Sequence, residues 1–356
     1  MGWTVFHCAA RASDLSLIRR LVRLGYNINA MRSAGQTAVY EVATKLGKSW
    51  FSNGHLDHQL LVLRTLCEGG ADLNFAARKA SILRDLIPSR GRFYILTHME
   101  ALKLLLKYGA SPRRALHSIG ANRAYVPFIR VLLDGGADIE ELWDNMTPLA
   151  RAAWHQNPDV VQALIDAGAN VNGAGRPPLF AVIKHPILRG AYGHNTAATL
   201  RILCNAGADT KKLNDQNHSI LSYVLILSNL ADTLPEVLEA LCKAGCDVNF
   251  QTAEDGDTPL HLATRPKYCG FGKSAVSSVS AQCVEILISY GADLNSQNDK
   301  GQTPLHSAIC HSNLDCTRVL VEHGSRMDIK DADGRTPLML ASTMKNSLEI
   351  SQWLSK

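Results

Sequence analysis

A short phrase that recurs along this 356-residue chain constrains its fold more than any other feature. Each copy reads Thr-Pro-Leu followed by one variable residue, and the copies begin at Thr147, Thr258, Thr303 and Thr336. A second phrase, Gly-Ala-Asp-x-Asn or a close variant, lies between the copies and begins at Gly70, Gly168 and Gly291. Two phrases that alternate at a fixed period predict an array of repeats.

The spacing of both phrases indicates a helical repeat. The interval from Thr303 to Thr336 is 33 residues, as is the interval from Gly291 to Gly324. Thr can accept a backbone N–H bond at the start of a helix, and Pro suits the first helical position because its φ is preset. A glycine is expected to end the second helix of each repeat in a left-handed conformation. The glycines placed for this are Gly25, Gly109, Gly136, Gly168, Gly207, Gly245, Gly291 and Gly324.

In these phrases and in their period, the chain resembles the ankyrin repeat family over nearly its whole length. The resemblance implies an all-α fold, an ankyrin-repeat solenoid of stacked helix-turn-helix units with β-turn fingers. It also implies that His7, His261 and His306 make structural hydrogen bonds between units. Residues 1–356 are predicted to form a single array, with approximate units 1–33, 34–76, 77–111, 112–141, 142–174, 175–212, 213–252, 253–297, 298–330 and 331–356.

Several predicted units depart from the pattern. The third, fourth, sixth and seventh lack a full signature, and the fourth has a compressed loop. Other units are too long: the surplus lies between the two helices of a unit, most clearly at Lys45–Asp57 and Pro266–Ser280. These surpluses are interpreted as inserted surface loops, because long insertions there cost little. A second contact surface is the alternative.

Composition limits the class of protein. The chain has no run of 18 apolar residues that would predict a transmembrane helix, and its N-terminus lacks the form of a secretory signal. Its nine cysteines show no framework spacing, so they are interpreted as reduced thiols of a cytoplasmic protein, with the nucleus as the alternative. The abrupt ends favour a repeat domain taken from a longer protein.

The search for catalytic motifs is negative. Gly173-Ala174-Gly175 precedes Arg-Pro-Pro and opens no dinucleotide-binding helix. A zinc site at His306, Cys310, His311 and Cys316 is disfavoured, because these side chains should point in different directions. The chain is therefore predicted to be a non-enzyme with no catalytic residue, no cofactor and no metal.

The resemblance also implies where a partner would bind, since the family holds partners at the turn tips and on the exposed side of the inner helices. Trp at such positions is over-represented among interface hot spots; the alternative is that each Trp packs against a neighbouring unit. The candidate partner-binding residues here are Trp143, Asp144, Met146, Trp154, His155, Arg176, Lys184 and His185.

Charge is unevenly distributed along the chain. Residues 75–130 hold eleven Lys or Arg and two acidic residues, a local net charge of +9, while the whole chain is +5. This basic patch adds Arg78, Lys79, Arg113 and Arg114 to the candidate partner-binding residues. A basic patch attracts acidic peptides or nucleic acid. Few aromatic residues lie near it, which favours a protein with an acidic segment over nucleic acid; a solvated basic edge without a partner is the alternative.

These observations predict a non-catalytic protein–protein interaction module, an adaptor or scaffold, that binds through its concave groove and turn tips. It is expected to be monomeric and to bind no membrane. The rival hypothesis is a small-molecule binding protein or enzyme whose pocket lies in the divergent repeats three and four.

Overall fold

A computed structural model describes residues 4–32, 36–48, 53–74, 81–87, 95–183, 195–227, 233–265, 273–343 and 350. The chain divides into two compact units, unit 1 (Met1–Pro178) and unit 2 (Leu179–Lys356). Within the described ranges, no helix is long and apolar enough to cross a membrane.

The described part of unit 1 contains ten α-helices. They are α1 Val5–Ala12, α2 Leu15–Arg23, α3 Ala38–Lys48, α4 Asn53–Glu68, α5 Ile82–Leu86, α6 Ile95–Lys107, α7 Ala115–Ile119, α8 Val126–Asp134, α9 Pro148–Trp154 and α10 Pro158–Asp166. A 3₁₀ turn at Arg123–Tyr125 precedes α8.

Unit 2 contains the remaining described helices, the first of which begins at the last residue of unit 1. They are α11 Pro178–Ala181, α12 Thr196–Asn205, α13 Ile220–Leu227, α14 Leu234–Lys243, α15 Pro259–Thr264, α16 Lys273–Ser289, α17 Pro304–Cys310, α18 Leu314–Glu322 and α19 Pro337–Thr343.

The helices form two layers in each unit. In unit 1, the inner helices α1, α3, α5, α7 and α9 contact one another in sequence, and each packs on the outer helix that follows it. In unit 2, α13, α15, α17 and α19 form the inner layer, and α12, α14, α16 and α18 form the outer layer. The described residues form no β-strand. The predicted all-α ankyrin-repeat fold is confirmed, while the ten unit boundaries stay a prediction.

Small residues let the inner helices approach closely. Ala152 and Ala153 of α9 are fully buried. A Cβ added to Gly120, at the end of α7, would lie 3.1 Å from the Cα of Ala152. The spacing of these two helices therefore depends on small side chains.

The signature residues act as predicted at the helix ends. The side chain of Thr147 accepts a hydrogen bond from the backbone N–H of Ala150 at 3.2 Å, at the start of α9. At the end of α10, Gly168 has a φ of 94°, and the N–H of Ala169 closes the helix on the carbonyl of Leu164 at 3.0 Å. All eight predicted helix-ending glycines have positive φ.

Histidines join several of the repeats to the next one. The Nε2 of His261 lies 2.8 Å from the carbonyl oxygen of Gln302, and that of His306 lies 3.1 Å from the carbonyl of Arg335. Their Nδ1 atoms accept backbone N–H bonds from Thr258 and Thr303. Nε2 therefore carries the proton and donates. The predicted structural role of these histidines is confirmed, as is that of His7, whose Nε2 lies 3.0 Å from the carbonyl of Gln36.

Neighbouring fingers also bond to each other. The N–H of Arg176 donates to the carbonyl of Asn145 at 2.7 Å in unit 1. Equivalent bonds in unit 2 join Asp299 to Asp255 and Ala332 to Lys300, each at 3.0 Å. Gly175 allows the first of these contacts, because its φ is 77° and a Cβ there would lie 2.6 Å from the Asn145 oxygen.

Two of the predicted inserted loops are partly helical. Helix α3 continues to Lys48 and α4 begins at Asn53, inside the predicted loop Lys45–Asp57. Helix α16 begins at Lys273, inside the predicted loop Pro266–Ser280. The interpretation as loops was wrong for these parts, since the added residues lengthen helices that already pack in the stack.

Acid should weaken the stack through its bridging histidines. Burial lowers the pKa of His7, His117, His261 and His306 below the ordinary value of 6.5. Their contribution to stability is thus complete above about pH 6.5 and is lost as the pH falls through the lowered folded-state pKa. We expect the urea midpoint, followed by circular dichroism, to fall between about pH 7.5 and about pH 5.5. His306→Gln should lower the urea midpoint at the higher pH and reduce the change in midpoint between the two pH values. An unchanged pH dependence of the midpoint would contradict the role of His306 as a bridging histidine.

The contact between fingers can be tested at Gly175. Gly175→Ala and Gly168→Ala both place a side chain at positive φ, which costs about 1 kcal/mol. Only Gly175→Ala also displaces the carbonyl of Asn145, since a Cβ at Gly168 meets nothing within 4 Å. We expect Gly175→Ala to lower the free energy of unfolding by about 1–2 kcal/mol more than Gly168→Ala. Equal urea midpoints for the two variants would show that the fingers do not depend on this bond.

Candidate protein-binding surface

Eight of the candidate partner-binding residues lie in the described part of unit 1. They are Arg113, Arg114, Trp143, Asp144, Met146, Trp154, His155 and Arg176. The other four, Arg78, Lys79, Lys184 and His185, lie outside the described residues.

Trp143 and Met146 close a tight hairpin turn that forms the tip of one finger. The N–H of Trp143 donates to the carbonyl of Met146 at 3.0 Å, and the N–H of Met146 donates back at 3.2 Å. Asp144 and Asn145 have φ values of 55° and 56°, the geometry of a type I′ turn. The turn holds Trp143 at the base of the tip and leaves the side chain of Asp144 76% exposed.

The preceding repeat lacks such a finger. Residues 108–114 alone join the end of α6 to α7, whereas residues 135–147 join α8 to α9. In the short link, Arg114 has a φ of 61°, and its N–H donates to Oε2 of Glu141 at 2.7 Å. Oε1 of Glu141 accepts from Nε of Arg113 at 3.2 Å. The short link thus leaves room above α5 and α7, which the next finger partly fills with Trp143.

Three guanidinium groups gather around the indole of Trp143. The Cζ atoms of Arg151, Arg84 and Arg114 lie 4.9, 5.7 and 5.9 Å from a Trp143 ring centroid. All three are within reach of a cation–π interaction. The ring of His117 adds an edge contact at 5.6 Å. We call Arg84, Arg114, His117, Trp143 and Arg151 the Trp143 cluster.

The cluster is built from consecutive inner helices. Arg84 lies on α5, Arg114 precedes α7, and Arg151 lies on α9. A hydrogen bond from the hydroxyl of Tyr40 to Oδ2 of Asp85 connects α3 to α5, the helix that carries Arg84. The packing of these helices therefore brings residues from different repeats together on one side of unit 1.

The positive charge of the cluster comes from its arginines. Arg84 pairs with Asp85 through Nε and one terminal nitrogen, at 3.1 and 3.0 Å. Arg151 lies 3.6 Å from Asp144, which is too far for a hydrogen bond, and its own side chain is only 14% exposed. Burial lowers the pKa of His117, and its Nε2 lies 3.1 Å from the carbonyl of Met146. The histidine is thus neutral near pH 7.

Trp154 and His155 lie beside the cluster. The Cζ of Arg151 is 6.0 Å from a Trp154 ring centroid, so one guanidinium borders both tryptophans. The rings of Trp154 and His155 meet edge to face at 4.9 Å. Both indoles are half-buried. Their exposure therefore lies between the two alternatives, an exposed binding residue and a Trp packed against a neighbouring unit.

Met146 is a correction to the candidate set. Met146 is only 8% exposed, so it offers little surface to a partner. Its carbonyl accepts the hydrogen bond of His117. Arg176 is half-buried and holds the neighbouring finger through its backbone N–H.

The described basic residues of 75–130 do not form one surface. Lys103 on α6 pairs with Glu100 at 3.2 Å, and Arg130 on α8 pairs with Asp134 at 3.1 Å. Both lie on outer helices, away from Arg84 and Arg114 on the inner side. The charge count over this segment therefore combined two faces of the stack.

Arg84, His117 and Arg151 were missing from the candidate set, although the period of the repeat could have indicated the first two. Leu83, Leu116 and Leu149 are spaced by 33 residues. This register places Arg84 one repeat before His117, at the signature position that bridges repeats elsewhere. An arginine at this position cannot replace a buried, neutral histidine in the bridging hydrogen bond. The guanidinium of Arg84 lies beside the Trp143 ring instead.

A cavity of about 310 Å³ lies in unit 2, lined in part by Lys211, Cys246 and Phe250. Among the described residues, no group of three or more His, Cys, Asp or Glu is placed to hold a metal ion. The rival hypothesis of a pocket in repeats three and four is not favoured.

Comparison with known proteins agrees with this architecture. A family model of ankyrin repeats (3 copies) matches residues 94–174 and 274–356, and a single ankyrin repeat matches residues 1–33. The human ASB11 ankyrin repeat domain, a crystal structure, superposes with a TM-score of 0.50 at 23% identity. The superposition covers 68% of this chain and 97% of that domain, which supports the fold.

Curated relatives match shorter stretches. Two proteins of fowlpox virus (strain NVSL), both named as ankyrin repeat proteins, are similar to this chain. One is 26% identical over 183 residues, 46% of this chain and 36% of that protein. The other is 35% identical over 157 residues, 42% of this chain and 43% of that protein. Mouse Rabankyrin-5 is 42% identical over 76 residues, which are 20% of this chain and 6% of that protein.

The chain thus spans less than half the length of each of these curated relatives. The family models together cover more than half of its 356 residues. Their matches fall on the phrases, helix pairs and histidine bridges described above, and the chain belongs to the ankyrin repeat family.

Proposed function

We propose that this chain is an adaptor or scaffold that binds a segment of another protein on the inner-helix side of unit 1, centred on the Trp143 cluster. Ankyrin repeats generally mediate protein–protein interactions, and the family is typically non-enzymatic. The finer proposal concerns the location of the surface and the chemistry of the partner.

The observation that carries the proposal is the gathering of three arginines on one half-buried tryptophan. Tryptophan and arginine are enriched among the residues that contribute most to binding. Trp143, Trp154 and Arg151 lie side by side, and the indoles keep part of their area open. A partner that covers them would remove apolar area from water.

The charge of this surface supports an acidic partner segment. Arg84, Arg114 and Arg151 outnumber the carboxylates beside them, Asp85 and Asp144. Arg113 is neutralised by Glu141 at 3.2 Å. An anionic side chain of the partner would therefore meet unbalanced positive charge, and binding should weaken as salt rises.

The cytoplasm or nucleus is the proposed setting for this interaction. The eight cysteines among the described residues are all free thiols, and five of them are buried. Free thiols persist where the redox environment is reducing.

Alanine at Trp143 and at Trp154 should each weaken partner binding. The partner is first identified by affinity capture from the native source with mass spectrometry, and its dissociation constant is then measured by isothermal titration calorimetry. We expect a loss of at least about 1 kcal/mol for each variant, or roughly a fivefold rise in Kd.

Tyr108→Ala provides the matched control, because Tyr108 is an exposed aromatic residue just beyond outer helix α6. It should bind the partner like the parent protein. Circular dichroism and urea midpoints exclude unfolding as the cause of any loss. Full affinity in both tryptophan variants would move the binding surface away from the Trp143 cluster.

A further inference from the structure

We infer that the Trp143 cluster is a subsite for a phosphorylated side chain of the partner segment. This inference rests on the proposed function, since it names the group that the protein-binding surface recognises. The argument depends on the hydrogen-bond donors that the cluster leaves uncommitted.

Arg114 is the first source of these donors. Its guanidinium makes no hydrogen bond or ion pair with any residue in the described ranges, and its Nε is buried without a partner. Only its backbone N–H is used, in the bond to Glu141. The guanidinium is held beside the Trp143 ring with its hydrogen-bonding capacity intact.

Arg84 and Arg151 supply further donors. Nε and one terminal nitrogen of Arg84 share a single oxygen of Asp85, which leaves the other terminal nitrogen available. The contact of Arg151 with Asp144 at 3.6 Å is an ion pair without a hydrogen bond. Because Asp144 is 76% exposed at the finger tip, it can move aside when a stronger anion arrives.

The carboxylates beneath the cluster are already engaged. Asp85 accepts hydrogen bonds from Arg84 and from the Tyr40 hydroxyl. Glu141 accepts from Arg113 and from the backbone of Arg114. These acids hold the helices and the short link in place, so the free donors of Arg114 and Arg151 require an anion from outside.

A phosphate group fits this arrangement better than a carboxylate. One guanidinium can satisfy a carboxylate with two parallel hydrogen bonds. A phosphorylated Ser or Thr presents three acceptor oxygens and a charge between about −1.5 and −2 at pH 7. Three guanidiniums that converge on one ring match several oxygens at once, and Trp143 orients them by cation–π contact.

Nucleic acid fits less well. A protein that follows a nucleic-acid backbone needs an extended basic track with interleaved stacking rings. Outside the cluster, Lys103 and Arg130 are paired with acids on the outer helices. Among the residues that the structure describes, the positive charge on the inner side of unit 1 is therefore compact, as recognition of a single phosphorylated side chain requires.

The test compares three degenerate peptide pools that differ only at one fixed central position, which is phosphothreonine, threonine or glutamate. Binding to the full chain is measured by fluorescence polarisation. We expect the phosphothreonine pool to bind at least tenfold more tightly than the other two. Arg114→Gln should remove most of this preference, while Arg123→Gln, an exposed arginine outside the cluster, should retain it.

A spectroscopic measurement locates the site. O-phosphothreonine titrated into the ¹⁵N-labelled chain should shift the indole N–H signal of Trp143, which is assigned by its loss in Trp143→Phe. The Arg114→Gln variant should not show the shift. Equal urea midpoints for the parent and Arg114→Gln separate a binding defect from misfolding.

Three results would overturn the inference. They are equal binding of the glutamate and phosphothreonine pools, an unchanged preference in Arg114→Gln, and displacement of the phosphopeptides by a short poly-uridine RNA. A captured partner that binds in a Trp143-dependent manner after phosphatase treatment would also exclude the phosphate, yet it would leave the proposed protein-binding function intact. A captured partner whose binding depends neither on the phosphate nor on Trp143 would refute the two proposals together.

Discussion

A hydrogen bond from a buried histidine to a backbone carbonyl of the next repeat joins the stack within each unit. His7 and His117 make it in unit 1, and His261 and His306 make it in unit 2, with Nε2–O distances between 2.8 and 3.1 Å. Each bond satisfies a ring nitrogen that would otherwise be buried unpaired. The carbonyl that accepts it also accepts a backbone N–H bond within its own finger. Because the carbonyl belongs to the finger, the bond also fixes where the finger stands over the inner helix.

The candidate site lies where this arrangement changes. Arg84 occupies the position at which a histidine would bridge two repeats, and the following link is too short to form a finger. The space is taken by Trp143 from the next finger, and His117 still makes its bridge beneath it. Departures from local sequence rules tend to occur at functional sites, where stability is given up for another purpose. The cluster of three arginines is the result of such a departure.

Much of the fold could be predicted because its signals are local. The N-cap at Thr147 and the left-handed Gly168 depend on residues within one turn of the helix. The site was less accessible. Trp143 and Arg114 were anticipated individually, but Arg84 and Arg151 join them only through the stacking of α5, α7 and α9. The charge count over residues 75–130 misled for the same reason, since Lys103 and Arg130 belong to the outer layer.

The sequence by itself determined the repeat, its period and the helix ends, because each of these depends on residue types at fixed short spacings. The histidine bridges were anticipated from the resemblance to the ankyrin repeat family. Only the tertiary structure decided which side chains share a surface. It turned Met146 into the core, extended α4 and α16 into expected loops, and gathered Arg84, Arg114 and Arg151 on one indole. The physical reason is that residues a full repeat or more apart along the chain become neighbours only when the inner helices stack.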